Sequence, residues 1–93
     1  MLFVWDDKKR RTNLKDHDQI DFETAKLVFR DPTALDFIDD RFAYSEERSI
    51  IIGRAGQRLL AVVYTMRSDI TRIISARKAT RQEADEYAAQ FTQ

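Results

Sequence analysis

Apolar residues in the first third of the chain recur with the spacing of a helix. Between residues 21 and 30 they stand three or four positions apart, so that one face of a helix collects them. Asp21 is a suitable N-cap and Pro32 ends the pattern, which predicts a helix from Asp21 to Arg30. The apolar positions are Phe22, Ala25, Val28 and Phe29.

A mostly polar helix is predicted ahead of it, over residues 7–16 with Asp6 as its N-cap. Its only strongly apolar side chains are Leu14 and the preceding Trp5. One stripe of this helix is basic because cationic residues recur at helical spacing. The stripe consists of Lys8, Arg11 and Lys15.

The second part of the chain contains four short runs rich in β-branched and aromatic residues, separated by turns. They predict an antiparallel meander with strands Ala34–Ile38, Arg48–Ile52, Gln57–Thr65 and Ile70–Ala76. The stretch Thr80–Glu83 has the form of a capping box and is followed by a helical apolar spacing, which predicts a last helix. The order ααββββα predicts an α+β fold with helices over one face of the sheet.

Length and composition exclude several classes of protein. A chain of 93 residues allows one domain without a deep cofactor cavity, so no cofactor is expected. The longest apolar run, Leu59–Tyr64, is far shorter than the roughly 20 residues of a membrane helix, and no basic-then-apolar signal segment precedes Trp5. We therefore expect a cytoplasmic protein that is neither membrane-spanning nor exported. The absence of cysteine excludes a disulfide framework, a thiol nucleophile and a thiolate zinc site.

Acidic and basic residues are segregated along the chain although they balance at 16 each. The net charge is +3 over residues 1–15, −7 over 16–47, +7 over 48–81 and −3 over 82–93. Because the basic block 48–81 carries most of the predicted strands, it can form a cationic sheet face that grips phosphates. The alternative is that these charges only solvate the outer face of the sheet.

His17 is the one histidine and follows the basic helix within a polar stretch. It is a candidate general acid or base, with aspartates beside it that favour its protonated form. The alternative is an exposed surface residue. With a single imidazole, a second proton-transfer group would have to be a lysine, a glutamate, a tyrosine or water.

Arg72 and Arg77 lie in and directly after the last predicted strand. A period of two puts them on opposite faces of the sheet unless a bulge intervenes. Arg77 and Lys78 stand where the chain leaves the sheet, and a planar guanidinium there can pair bidentately with a phosphate. The alternative is an ion pair of Arg77 with Glu46, Glu47 or the last helix.

Other kinds of site receive less support. Gly53 and Gly56 lie within a predicted hairpin and form no phosphate-binding loop. The carboxylates between residues 36 and 47 in principle suit a hard divalent cation, but such runs are usually solvated, so no metal is predicted. Tyr87 is predicted to be a core residue, with a contact to a nucleobase or a partner helix as the alternative.

Specific strings in both halves of the chain carry more information than their periodicity. In the N-terminal half they are Phe3-Val4-Trp5-Asp6, Lys9, Asn13, Lys15, His17, residues 22–29 and Asp31-Pro32. In the C-terminal half they are Glu46-Glu47-Arg48, Ile52-Gly53, residues 59–65, residues 72–80, Glu83 and Tyr87. Together, and in this order, they resemble the BrnT family of bacterial type II toxins. The chain departs from the family pattern at Asp18, where glycine tends to follow the histidine.

The resemblance implies a single domain of residues 1–93 with an α+β fold similar to that of the RelE ribonucleases. It implies cleavage of RNA that arrests translation, and neutralisation by a BrnA-like antitoxin in a hetero-oligomer. It also favours an RNA-facing role for the basic block and an active-site role for His17.

A mechanism that suits these residues is attack of the RNA ribose 2′-OH on its own adjacent phosphate, which gives a 2′,3′-cyclic phosphate. In this hypothesis the phosphate is held by Arg77 and one of Arg67 or Arg72. Lys9 adds positive charge, and His17 or Glu47 transfers a proton. Further RNA contacts are expected from Lys8, Arg11, Lys15, Lys78 and Tyr87.

Two alternatives explain the same charge blocks. One is a non-catalytic module that binds RNA or an acidic protein segment. The other is a toxin that has lost its ribonuclease activity and only forms a complex with an antitoxin.

Overall fold

A computed structural model describes residues 1–40 and 46–92 of the chain. Its fold is α+β, as the sequence predicts. The helices are α1 (Asp7–Asp16), α2 (Phe22–Ala25) and α3 (Arg81–Ala89), and a 3₁₀ helix covers Lys26–Arg30. The strands are β1 (Leu2–Trp5), β2 (Leu35–Ile38), β3 (Ser49–Ala55), β4 (Arg58–Arg67) and β5 (Ile70–Lys78). No helix within the described ranges is long and apolar enough to cross a membrane.

The sheet has five strands in the order β1-β5-β4-β3-β2. Strands β2 to β5 form the predicted antiparallel meander, and each begins within one residue of its predicted start. The expectation of a purely antiparallel, four-stranded sheet is wrong, because β1 pairs parallel to β5 with Leu2 opposite Ile70 and Trp5 opposite Ile73. Only four residues long, β1 gains its hydrogen bonds from a strand far along the chain, which local pattern does not reveal.

Helices cover both faces of the sheet, so the expectation of one covered face is also wrong. One apolar cluster lies under α2 and the 3₁₀ helix and contains Phe22 and Val28 with the side chains of Val62 and Ile73. A second cluster lies on the opposite face and contains Tyr87 of α3 packed with strand residues. Because strand side chains alternate between faces, the continuous apolar runs of β3 and β4 can fill both clusters.

The predicted caps explain where the helices begin. Asp6 accepts hydrogen bonds from the backbone N–H groups of Lys8 and Lys9, and Asp21 accepts one from Glu23. At Thr80 both halves of the predicted capping box are present. The second predicted helix differs: it remains α-helical for four residues and then tightens into the 3₁₀ helix that ends before Pro32.

The connection that follows His17 has an unusual backbone. Asp18 and Gln19 both adopt positive φ, at 54° and 57°, before the buried Ile20 re-enters the core. Asp18 stands where the family pattern tends to have glycine, and its left-handed conformation is one that glycine adopts without steric cost. The turn is held by the N–H of Ile20, which donates to the carbonyl of His17 at 3.0 Å.

Gly53 lies where β3 passes closest to the 3₁₀ helix and the residues after it. A Cβ built at this position would stand 3.0 Å from the Ala34 Cβ, 3.0 Å from the Val28 Cγ1 and 3.2 Å from the Asp31 Oδ2. The missing side chain therefore lets the strand approach these atoms closely.

Gly53→Ala is expected to lower the free energy of unfolding by about 1–3 kcal/mol, because the added methyl group forces its neighbours apart. Urea denaturation of both proteins measures the difference. Gly56→Ala is the matched control: no atom lies within 4 Å of its Cβ, but its φ is 65°. It should cost about 1 kcal/mol through backbone strain alone. Equal stability of Gly53→Ala and the parent protein would contradict the close approach.

Candidate active site

A β-bulge in β5 decides where its arginines point. Ser75 pairs with Val63 and Ile73 pairs with Tyr64, so Ile74 is the extra residue on β5. Thr65 stands opposite Arg72 and Ala61 opposite Arg77, and both partners lie on the face of β4 that α3 partly covers. The alternation of strand residues predicts opposite faces for the two arginines unless a bulge intervenes. The bulge is present, and the two arginines lie on one face of the sheet.

Helix α1 is fixed beside β5 by Asn13, a buried residue with 4% exposure. Its side-chain amide donates to the carbonyls of Ala76, at 2.8 Å, and Ile20, at 2.9 Å. Its Oδ1 accepts the Ala76 N–H at 2.9 Å. Since β1 pairs with β5 only as far as Ile73, Asn13 takes over the hydrogen bonds of β5 beyond the end of β1.

A cleft of about 380 Å³ lies between α1 and the bulge. Its lining residues are Asp6, Lys8, Lys9, Thr12, Asn13, His17, Ile74 and Ser75. Lys9 and His17 stand four residues before and after Asn13 on one line of the helix, which separates each from Asn13 by about 6 Å along the axis. Two of the predicted catalytic residues, Lys9 and His17, and the predicted RNA contact Lys8 thus lie in one cleft.

Asp6 connects this cleft to Arg72. Hydrogen bonds from the backbone N–H groups of Lys9 and Lys8 lower the pKa of Asp6, and the positive charges of Arg72 and Lys9 lower it further. Both cations therefore lie within electrostatic reach of the same carboxylate. Val4, which is paired with Arg72, precedes Asp6 by two positions in the extended segment. The rim of the cleft consequently carries positive charge from α1 and from β5.

Arg77 is engaged in an ion pair with α3. Its Nη1 and Nη2 stand 2.6 and 2.9 Å from the two carboxylate oxygens of Glu83. Both side chains are largely buried, with 25% and 16% exposure. The hydrogen bonds from Arg77 lower the pKa of Glu83 despite its burial. The alternative that paired Arg77 with the last helix is therefore observed, and the guanidinium meets a carboxylate in the bidentate geometry that it offers a phosphate.

Arg67 and Arg72 line a second, smaller cleft of about 140 Å³ on the same sheet face, together with Val4, Thr65 and Ile70. Arg67 stands 3.3 Å from Glu46, which also lines this cleft, and is almost fully exposed. Exposed pairs of this kind contribute little stability and exchange readily with other anions.

Glu47 lies outside the cleft that holds Lys9 and His17. It lines a depression that adjoins the second cleft, since Glu46 and Thr65 line both. Its carbonyl accepts a hydrogen bond from the Thr65 hydroxyl at 3.1 Å. Arg11 is paired with Asp7 of the same helix, and Lys15 and Lys78 are exposed. None of Glu47, Arg11, Lys15 or Lys78 lines the cleft that holds Lys9 and His17. Residues 1–40 and 46–92 contain no cluster of three or more His, Asp or Glu side chains arranged to hold a metal ion.

Tyr87 is a core residue with 4% exposure, which leaves no ring face open to a nucleobase. Its hydroxyl donates to the Asp31 Oδ2 at 2.6 Å and lies 2.8 Å from the Thr33 hydroxyl. Asp31 also accepts from the Thr33 hydroxyl at 2.7 Å and from the Arg54 N–H at 2.8 Å. This carboxylate thus ties α3 to β3 and to the turn after the 3₁₀ helix.

Asp31 is expected to make the protein less stable in acid. Burial alone would raise its pKa, but hydrogen bonds from Tyr87, Arg54 and Thr33 outweigh it and lower the pKa from 3.8 to about 2. Because the folded pKa is depressed, the stabilisation is complete above about pH 4 and is lost as pH falls toward 2. The loss should be on the order of 1–2 kcal/mol.

Urea denaturation at pH 6, 4, 3 and 2 measures this loss. Asp31→Asn is the control, since it removes the titrating group and should flatten that part of the profile. An unchanged slope in Asp31→Asn would contradict the assignment to Asp31.

The family to which this chain belongs is recognised over most of its length. Residues 5–83 match the family model described as ribonuclease toxin, BrnT, of type II toxin-antitoxin system. No match was found among curated proteins. The matched range begins at the last residue of β1 and ends at Glu83, and it contains all residues that line the cleft between α1 and the bulge. The chain belongs to the BrnT family of ribonuclease toxins of type II toxin–antitoxin systems.

Proposed function

We propose that this protein is a metal-independent endoribonuclease that acts in the cytoplasm as one RelE-like domain over residues 1–93. It cuts RNA by attack of the ribose 2′-OH on the adjacent phosphate and thereby arrests translation. The observation that supports the proposal is the cleft that collects Lys9 and His17 within reach of Arg72. These residues supply a cation for the developing phosphorane charge and one of the two proton-transfer groups that this reaction needs, and water would serve as the other.

The roles follow from the positions of these residues. Lys9 lines the cleft and Arg72 lines the second cleft, and both act electrostatically on Asp6, so together they would hold the scissile phosphate. His17 in the same cleft as Lys9 would act as the general acid for the leaving 5′-oxygen or as the general base for the 2′-OH. Lys8 would contact a neighbouring phosphate from the cleft rim.

The remaining basic residues have a less direct role in this proposal. Arg77 would reach a phosphate only by exchanging its Glu83 partner, and Arg67 only by exchanging Glu46. Arg11, Lys15 and Lys78 would contribute to the electrostatic attraction of RNA from outside the cleft. Glu47 lines a depression beside the second cleft and not the cleft of His17, so proton transfer is assigned to His17.

The experiment that tests the reaction uses a pair of RNA substrates. The purified chain should cut the all-ribose strand in the presence of EDTA and leave a 2′,3′-cyclic phosphate and a 5′-OH, identified by mass spectrometry. A strand with a 2′-methoxy group at the cut site should stay intact because it lacks the nucleophile. Cleavage of the methoxy strand at the same bond would refute the mechanism.

We also propose a BrnA-like antitoxin as partner, docked on the sheet face beside the second cleft. Three apolar side chains are exposed there, Leu2 at 59%, Val4 at 40% and Ile70 at 38%, next to Arg67 and Arg72. A partner segment that mixes apolar and acidic residues would cover the three apolar side chains and pair with the two arginines.

Association with the antitoxin should therefore slow as salt rises, and Ile70→Glu should weaken binding at least 10-fold. The probe is the protein encoded directly downstream of this gene. Leu27→Glu is the matched control, because Leu27 is also 40% exposed but belongs to the 3₁₀ helix on the opposite sheet face. Equal binding by the Ile70→Glu and Leu27→Glu variants would place the antitoxin elsewhere.

A further inference from the structure

We infer that the cleft between α1 and the bulge holds one RNA base, and that Thr12 and Ser75 select which base is bound. This inference rests on the proposed ribonuclease function and names the substrate specificity of the same site. The cleft volume of about 380 Å³ lies in the range of small-molecule sites. A phosphate alone would leave most of that volume unfilled.

The lining of the cleft suits a base. Ile74 supplies an apolar wall, and the methylene stems of Lys8 and Lys9 extend it. The Thr12 and Ser75 hydroxyls line the same cleft and make no hydrogen bond to any residue in the described parts of the chain. A hydroxyl both donates and accepts, so two of them beside an apolar wall can read the edge of a bound base.

The bulge is the reason that Ser75 reaches the cleft. In an unbroken strand Ser75 would fall on the same face as Ile73, in the apolar cluster under α2. The extra residue Ile74 shifts the alternation, and Ser75 becomes the cross-strand neighbour of Val63. Bulges commonly re-aim side chains next to active sites, and here the re-aimed hydroxyl lines the same cleft as Thr12 of α1.

The position of the hydroxyls fits the nucleotide on which Lys9 and His17 act. Thr12 lies between Lys9 and His17 in sequence, and all three line the cleft with Ser75. A base seated on Ile74 would lie beside the phosphate that Lys9 and His17 approach from α1. The geometry therefore assigns base selection to the nucleotide that carries the reacting phosphate.

Deep sequencing of cut sites in a random RNA pool tests the inference. The parent protein should prefer one base next to the cut. Ser75→Ala and Thr12→Val should each lower that preference about 10-fold, since each removes a hydrogen bond to the base edge. Thr24→Val on α2 is the control and should leave the preference unchanged.

A second readout separates this inference from the proposed function. The backbone amide NMR signals of Thr12 and Ser75 are followed during titration with the four nucleoside 3′-monophosphates, and one nucleotide should bind at least about 10-fold tighter than the others. If both variants cleave RNA with an unchanged base preference, the base pocket is refuted while the proposed ribonuclease activity is retained. If the protein binds one nucleotide selectively but cleaves no RNA, the ribonuclease activity is refuted while the base pocket is retained.

Discussion

Lys9→Met is expected to lower the rate of RNA cleavage about 100-fold or more. In the proposed mechanism this cation faces the position where negative charge develops on the phosphate, and loss of one such group typically costs a factor of 100 to 1,000. Methionine keeps most of the apolar stem of lysine, so the wall of the cleft survives. Single-turnover cleavage of a labelled RNA by the purified variant measures the rate.

The fold should be unaffected by this change. Lys9 is exposed, and its side chain forms no ion pair with any residue in ranges 1–40 and 46–92, so the free energy of unfolding should shift by less than about 0.5 kcal/mol. Lys26→Met provides the matched control, since Lys26 lies with α2 over the opposite sheet face and should retain full activity. A Lys9→Met variant that cuts RNA at the parental rate would remove this cleft from consideration as the active site.

The meander was predictable from sequence because each of its strands is rich in β-branched or other large apolar residues and is paired with a strand that neighbours it along the chain. Strand β1 was not predictable in this way, since it contains four residues and its partner lies almost seventy positions away. The placement of α3 on the second face of the sheet was also missed, although the sequence contains a signal for it. The runs in β3 and β4 are apolar at successive positions, which indicates that both faces of the sheet are buried.

The candidate site was likewise predicted only in part from the sequence. The residue types in it were identified from the BrnT-like strings and the charge blocks, and Lys9 and His17 do lie in one cleft. The relation of Arg72 to Arg77 depended on a bulge that no local signal in β5 announces. Which arginine is held by Glu83 and which lies beside Asp6 follows only from the folded register.

Asn13 is the residue that sequence reasoning undervalued most. A polar helix with Leu14 as its one strongly apolar member cannot be held on a sheet by hydrophobic burial alone. The lack of apolar side chains on this helix was therefore the sign in the sequence that a polar residue fixes it to the sheet. This anchor is needed because β1 ends at Trp5, so Ala76, which pairs with Val62 on one side, has no strand partner on the side of β1.

Asn13→Leu is expected to lower the free energy of unfolding by about 3–5 kcal/mol. Leucine is similar in size but leaves the Ala76 N–H and C=O and the Ile20 C=O buried without partners, and each such group costs about 1–3 kcal/mol. Urea denaturation monitored by circular dichroism measures the loss. Thr12→Ala, an exposed neighbour on the same helix, should change stability by less than about 0.5 kcal/mol.

Asn13→Asp sharpens this test because it changes hydrogen bonding without changing shape. Its carboxylate can still accept from the Ala76 N–H, but the oxygen that replaces the amide nitrogen would face the carbonyls of Ala76 and Ile20. The folded state therefore favours the protonated acid, which raises the pKa of this carboxyl above its value in the unfolded chain. Relative to the parent protein, the variant should therefore be least destabilised at low pH, and the loss of stability should grow as pH rises through 4 and beyond. Asn13→Leu lacks a titrating group and should not show this added loss as pH rises. If both variants had the same pH profile, the two carbonyls could not be the partners of this side chain.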